Sequence, residues 1–176
     1  KPAYLLIDKK INSIFDIMPF MENYVKSERR GTPLVIIAED FSNDCTNGLV
    51  LNTLNGVFKN VAIKTPGFGE RRKQILEDIA AFTGSTIISD ETGVTFETAN
   101  PAAVTGTSHK VIVTKNDITI MDGGGEKETV EERCKLIKNQ IALTESQYDR
   151  EKLQERISKL SGSIAVIEVG ATTEAE

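Results

Sequence analysis

Short apolar runs rich in β-branched residues alternate with helix-patterned segments through the first half of the chain. This alternation constrains the fold more than any other feature. Such runs predict strands because Gly, Asp, Asn or Lys residues bound them. They are Tyr4–Ile7, Leu34–Ala38, Val61–Ile63, Thr86–Ile88, Val111–Val113, Ile118–Met121 and Ile164–Val169. Helical patterns cover roughly 11–25, 45–57 and 71–83. The alternation predicts an α/β layer arrangement with a partly parallel sheet.

The pattern changes after the Asp122–Gly125 turn, which we interpret as a hinge or a connection rather than a ligand cradle. Residues 127–161 are highly charged, and their apolar residues form two thin helical stripes. The stripes are Val130, Cys134, Ile137 and Ile141, then Leu153, Ile157 and Leu160. Ser146 with Asp149 predicts a capping box at the second helix start, and Gly162 predicts a C′ glycine at its end. We therefore expect an antiparallel helix pair packed on the rest by one stripe.

Composition excludes several classes of function. The 176 residues carry a net charge of −5, which argues against nucleic-acid and polybasic membrane partners. Cys45 and Cys134 form no CxxC motif, which favours a reducing compartment. His109 stands alone, so neither a metal site nor a catalytic constellation can be assembled around it. The longest apolar run, 34–38, is far short of the ~20 residues that span a bilayer.

The helical segment 11–25 carries more apolar residues than one core-facing stripe needs. At ~100° per residue they spread over roughly 220°, whereas a single stripe needs little more than ~100°. The surplus residues are Ile17, Phe20, Met21 and Tyr24. Two interpretations stay open: a helix buried on two sides, or an exposed apolar face that binds a partner. The segment 45–57, with Asp44 predicted to cap its start, has a similarly broad arc. Together the two helices predict a groove that captures peptide.

The glycine-rich stretch Thr65–Lys73 lies between a predicted strand and a predicted helix. It matches neither GxGxxG nor GxxxxGK[ST]. Its cations Arg71, Arg72 and Lys73 oppose the helix dipole at a helix start, where a bound anion would help. A structural turn and a phosphate site both remain open for this stretch.

Several long motifs resemble the GroEL-type (group I) chaperonins, and they occur in the order of that family. They are Pro-Leu-Val-Ile-Ile-Ala-Glu-Asp at 33–40, Lys-Thr-Pro-Gly-Phe-Gly-Glu-Arg-Arg-Lys at 64–73, Tyr-Asp-Arg-Glu-Lys-Leu-Gln-Glu-Arg at 148–156, and Ala-Val-Ile-Glu-Val-Gly-Ala-Thr-Thr-Glu at 165–174. The resemblance extends essentially from Pro2 to Glu176. It implies an apical domain over 1–161, lacking its N-terminal part, and the start of an intermediate-domain segment over 162–176.

The resemblance also implies a fold and a function. The expected fold is a β-sandwich-like core flanked by helices, followed by the antiparallel helix pair. Two adjacent helices are expected to form a groove that binds non-native polypeptides and, competitively, a GroES-like co-chaperonin lid. The implied groove positions are Met18, Met21, Thr46, Val50, Leu51, Asn52 and Asn55. Gly162 matches the family's hinge, and salt bridges between domains or subunits are implied for Lys110, Lys115 and Glu174.

The sequence departs from the family pattern at some of these positions. Thr46 replaces a usual Leu, Asn55 a usual Arg, and Ser163 the second glycine of the hinge pair. The family's nucleotide-binding equatorial domain and catalytic aspartate fall outside the 176 residues. We therefore expect no enzyme activity, no cofactor and a monomer for this stretch, with ATP, Mg and ring assembly belonging to the parent protein.

The expected compartment is the bacterial cytoplasm, with an organelle matrix or stroma as the alternative. Two other functions stay open beside the chaperone module. One is a phosphate- or nucleotide-binding domain that uses the loop Gly67–Lys73. The other is a purely structural scaffold whose broad apolar helices are buried on both sides.

Overall fold

The computed structural model describes residues 2–28, 31–54, 59–65, 69–90, 93, 95–96, 98–114, 117–162 and 164–168, with the backbone alone at 50–54, 102 and 168. The strands are β1 Ala3–Ile11, β2 Leu34–Phe41, β3 Asn60–Lys64, β4 Gly106–Val113, β5 Asp117–Gly123 and β6 Ile164–Glu168. The helices are α1 Ile14–Lys26, α2 Asn43–Leu54, α3 Gly69–Thr83, the single turn α4 Pro101–Val104, α5 Lys127–Leu143 and α6 Gln147–Ser161.

The strands form one six-stranded mixed sheet in the order β3-β2-β1-β4-β5-β6. β1, β2 and β3 are parallel, while β4, β5 and β6 are antiparallel. The two halves join through β4, whose first residues pair with β1 and whose remainder pairs with β5. The predicted α/β fold with a partly parallel sheet is thus confirmed. The predicted strand at 86–88 is wrong, since Ile88 makes only an isolated bridge to Ile7.

The sheet is buried on both faces. Along β1, Leu5 and Ile7 pack on one face, whereas Tyr4 and Leu6 pack on the other. A strand buried on both sides needs apolar residues at consecutive positions, which is why β1 and β2 read as unbroken apolar runs. The first face is covered by α1 and α2, and the second by α3, α5 and α6.

The predicted helix pair is present as α5 and α6. Their stripe residues Cys134, Ile137, Ile157 and Leu160 are buried against the second face of the sheet. Charged side chains also attach the pair to α3. Asp78 accepts hydrogen bonds from Arg156 Nε at 2.6 Å and Nη2 at 3.0 Å, and from Arg133 Nε at 2.8 Å. Bidentate Arg–carboxylate geometry of this kind fixes orientation as well as adding energy.

The glycine turn before α5 is a tightly packed connection. A Cβ on Gly125 would overlap the carbonyl oxygen of Ala81, and one on Gly123 would overlap that of Phe82. Gly125 N also donates to Phe82 O at 3.0 Å. These contacts pack the turn closely against the end of α3, which fits the interpretation of a hinge or a connection rather than a ligand cradle.

Both predicted features at the ends of α6 can be compared with the structure. Ser146 Oγ accepts a hydrogen bond from Asp149 N at 3.4 Å, so Ser146 is the N-cap. This is one of the two bonds of the predicted capping box. Gly162 is the C-cap rather than the C′ residue, with an extended φ of −82°. The helix end therefore does not use the left-handed conformation for which a C′ glycine is favoured.

Candidate functional site

α1 begins one turn later than its apolar pattern predicts, because β1 continues through Ile11. Its start is fixed by a capping box at Ser13. Phe15 N donates to Ser13 Oγ at 3.2 Å, and Ser13 N donates to Asp16 Oδ2 at 3.2 Å. The other end is held by Tyr24, whose Oη donates to Thr32 O at 2.7 Å. The rotational setting of α1 on the sheet is therefore fixed at both ends.

The four apolar residues whose burial or exposure the sequence left open form the core of the contact between α1 and the sheet. Ile17, Phe20, Met21 and Tyr24 are all buried, and Met21 is only 7% exposed. Their spacing of i, i+3, i+4 and i+7 confines them to one stripe of about 100°. The interpretation that these residues face solvent is wrong, and Met21 belongs to the core rather than to an open groove.

The apolar residues of α1 that are not needed for the core lie beside this stripe. At about 100° per residue, Ile14, Val25, Met18 and Phe15 lie roughly 60°, 80°, 100° and 160° around the helix from Ile17. Exposure rises in the same order, from partly buried Ile14 and Val25 through Met18 at 37% to Phe15 at 72%. We call these residues the apolar flank of α1. Phe15 was missed as a site residue, although the quartet spacing could have identified it.

α2 lies next to this flank. A Cβ on Gly48 would be 3.0 Å from Ile14 Cγ1, so the glycine allows the two helices to approach closely. Cys45 and Leu49 point into the core. The glycine that weakens α2 by about 1 kcal/mol relative to Ala therefore has a packing role at the boundary between the two helices.

The start of α2 differs from the prediction. Ser42 Oγ accepts a hydrogen bond from Cys45 N at 3.1 Å, while Asp44 lies inside the first turn. The cap is thus Ser42, and the prediction of Asp44 is wrong by two positions. Thr46 is half-buried, and its Oγ1 donates to Ser42 O at 3.1 Å. Because the Thr46 hydroxyl donates its hydrogen bond inside the helix, it leaves no unsatisfied donor on the surface beside α1.

The remaining implied groove positions lie outside what the structure describes in full. Val50, Leu51 and Asn52 belong to α2, but their side chains are outside the described residues. Asn55 is outside them altogether. The α2 side of the expected groove therefore has described side chains only as far as Leu49.

Only some of the residues implied in hinge motion and salt bridges lie in the part of the chain that the structure describes. Gly162 is exposed after α6, and Lys110 is exposed on β4. Lys115 and Glu174 lie outside the described residues. The structure brings neither Gly162 nor Lys110 to the surface formed by α1 and α2.

One of the three cations that could bind a phosphate at the 65–73 loop, Arg72, forms ion pairs within the protein instead. Arg72 lies 3.1 Å from Glu39 Oε1 and 3.8 Å from Asp8 Oδ1, and the side chains of Arg72 and Asp8 are largely shielded from solvent. Gly67 lies outside the described residues. The positive charge of Arg72 is thus neutralised by the ends of β1 and β2.

Both cysteine thiols are buried in an environment that disfavours the thiolate. Burial raises the pKa of the Cys45 thiol to about 11, and the carboxylates of Asp16 and Asp44 add to the rise. Burial likewise raises the pKa of the Cys134 thiol. A nucleophilic cysteine needs the opposite shift.

Other predicted features can be located as well. His109 is exposed. In the part of the chain that the structure describes, no cluster of His, Cys, Asp and Glu has the makings of a metal site. Among the same residues, no helix has the length and apolar character to cross a bilayer. No family model matches this sequence.

Proposed function

We propose that this chain is a polypeptide-binding module of the GroEL-type chaperonin kind, and that non-native chains bind on the apolar flank of α1 beside α2. The observation that carries the proposal is the exposure of Phe15 and Met18. The core stripe of α1 is complete without these two side chains. Apolar side chains that remain exposed to water next to a second helix are typical of a binding surface.

The chemistry of the flank suits clients of many sequences. Phe supplies a large apolar area, and the unbranched thioether of Met repacks against different shapes. Each client side chain of this size gains up to ~1.5–3 kcal/mol when it leaves water. Ordering costs take back much of that gain. A single surface should therefore bind weakly, and several copies in a ring would hold a client by avidity.

The finer parts of the proposal come from the chaperonin motifs. By resemblance, residues 1–161 form a β-sandwich-like apical domain and 162–176 begin the return through the intermediate domain. A GroES-like lid would compete for the same surface. ATP bound elsewhere in the parent ring would swing the domain about Gly162 and release the client, a hinge-type switch.

The other candidate functions make different predictions. A phosphate- or nucleotide-binding domain at Gly67–Lys73 requires the isolated chain to bind ATP or phosphate, although Arg72 is already paired with Glu39 and Asp8. A flat calorimetric titration with both ligands removes it. A purely structural scaffold requires no affinity for unfolded proteins, and the exposed Phe15 argues against it.

The experiment compares client binding by two variants that introduce the same charge on one helix. Met18→Glu places a carboxylate on the flank, whereas Asn23→Glu places one roughly 240° around the helix from Ile17, at an exposed position. Binding of a reduced, unfolded client is measured by fluorescence anisotropy, and melting temperature is measured in parallel. We expect Met18→Glu to lose most binding with little change in stability, while Asn23→Glu keeps it. Equal binding by both variants would refute the proposal.

A further inference from the structure

A second concave surface lies on the opposite side of the sheet from α1. It is an open cleft of about 510 Å³ between α3, α6, β5 and β6, a volume within the range of small-molecule sites. The floor consists of buried or half-buried apolar side chains from all four elements. They are Ile75, Ile79, Phe82, Ile120, Leu160 and Ala165. A ligand on this floor would have to present an apolar body.

The rim of the same cleft is charged, and its sign is opposite to that of the whole chain. The cationic side chains are Arg71, Lys152, Arg156 and Lys159, and the carboxylates are Asp78 and Glu155. Four cations against two carboxylates give a local net charge of +2, in a chain whose net charge is −5. The cleft therefore attracts anions although the protein as a whole repels them.

The excess charge can be assigned to individual side chains. Arg156 is committed to the protein, because its guanidinium binds Asp78 at 2.6 and 3.0 Å and Gln74 at 3.1 Å. Lys152 Nζ is 3.8 Å from Glu155. Within the part of the chain that the structure describes, no carboxylate is within ion-pair distance of Arg71 or Lys159. The uncompensated cations are thus Arg71 on the α3 wall and Lys159 on the α6 wall.

We propose that this cleft binds an amphipathic carboxylate, with its aliphatic chain on the floor and its head group paired with an uncompensated cation of the rim, Arg71 or Lys159. Guanidinium and ammonium groups form charge-assisted hydrogen bonds with a carboxylate. The apolar floor adds affinity for each methylene that it covers. A small inorganic anion would gain nothing from the floor, and a neutral alkyl chain would gain nothing from the two cations. This site is independent of the proposed polypeptide surface, since the sheet separates the two.

The test is a titration of the whole chain with straight-chain carboxylates from butyrate to decanoate, followed by calorimetry and by backbone amide shifts. We expect affinity to rise about fourfold per added methylene until the floor is covered. Decanol and inorganic phosphate are the matched probes for the apolar body and the anionic head alone. Each is expected to bind at least about tenfold more weakly than decanoate.

The variant Arg71→Gln with Lys159→Gln removes both uncompensated cations. Its matched control is Lys10→Gln with Lys26→Gln, which removes the same charge from exposed positions on β1 and α1. We expect the first pair to weaken decanoate binding about tenfold and the control pair to leave it unchanged. The backbone amides whose chemical shifts change on decanoate binding should lie on α3, α6 and β6.

Several results would overturn the proposal. Equal weakening by both pairs would mean that only net charge matters. Phosphate binding as tight as decanoate binding would mean that the floor is not used. Shifts confined to α1 and α2 would show that decanoate uses the apolar flank instead, and in that case the proposed polypeptide surface would stand while the cleft site would fail.

Discussion

Met18 and Met21 lie three residues apart on α1 and differ sharply in burial, so truncating each to Ala compares the flank of the helix with its core stripe. Met21 is 7% exposed and packs in the core beside Ile17 and Phe20, whereas Met18 is 37% exposed. Removing a buried Met side chain costs roughly 2–5 kcal/mol, because contacts are lost and a cavity is left. Ala at the exposed position costs well under ~1 kcal/mol, and its helix propensity offsets part of that.

Urea unfolding followed by circular dichroism measures the difference. With an m-value of about 1–3 kcal/mol/M, Met21→Ala should lower the midpoint by on the order of 1–2 M urea. Met18→Ala should leave the midpoint within a few tenths of a molar, and both variants should keep the wild-type m-value. If Met18→Ala destabilises the protein as much as Met21→Ala does, the assignment of core stripe and flank on α1 is wrong.

Three further predictions concern packing, capping and ionisation. Gly125→Ala should cost about 3 kcal/mol or more, since its Cβ overlaps a carbonyl oxygen of α3; a thermal melt within a degree of wild type would contradict this. Ser42→Ala should cost about 1 kcal/mol as the loss of a cap, while Asp44→Ala should cost clearly less in the same urea assay. Burial raises the pKa of Tyr4 to about 12 from 10.0, so between those pH values the unfolded chain has lost the proton that the folded chain keeps. Stability should therefore fall as pH rises through this window, by up to about 2–3 kcal/mol; Tyr4→Phe should flatten the profile, and an unchanged profile would refute the assignment.

Much of the layer arrangement could be predicted from the sequence because burial on both faces leaves a local signature. β1 and β2 read as continuous apolar runs, and their alternate residues do pack on opposite faces. The helix pair was predictable for a similar reason, since its stripes at Cys134 and Ile157 are narrow and isolated among charges. In each case one short window of sequence contains the whole signal.

The site was only partly predictable, because its features depend on which neighbour covers which residue. A broad apolar arc on α1 does not say which sector faces the sheet. Of the two implied groove positions on α1, the structure exposes Met18 and buries Met21, and it also exposes Phe15, which was not among them. The close approach of Gly48 to Ile14 is likewise invisible in either segment alone. The shift of the α2 cap from Asp44 to Ser42 is the usual uncertainty of a helix boundary.

Direct contact between α1 and a client is the most decisive test of the central proposal. A photoreactive benzoylphenylalanine is placed at one of three exposed α1 positions, Phe15, Met18 or Asn23, and each variant is irradiated with a reduced, unfolded client. The account predicts strong cross-linking from Phe15 and Met18, and little from Asn23 on the other side of the helix. Cross-linking of equal strength from all three positions, or from none of them, would contradict it.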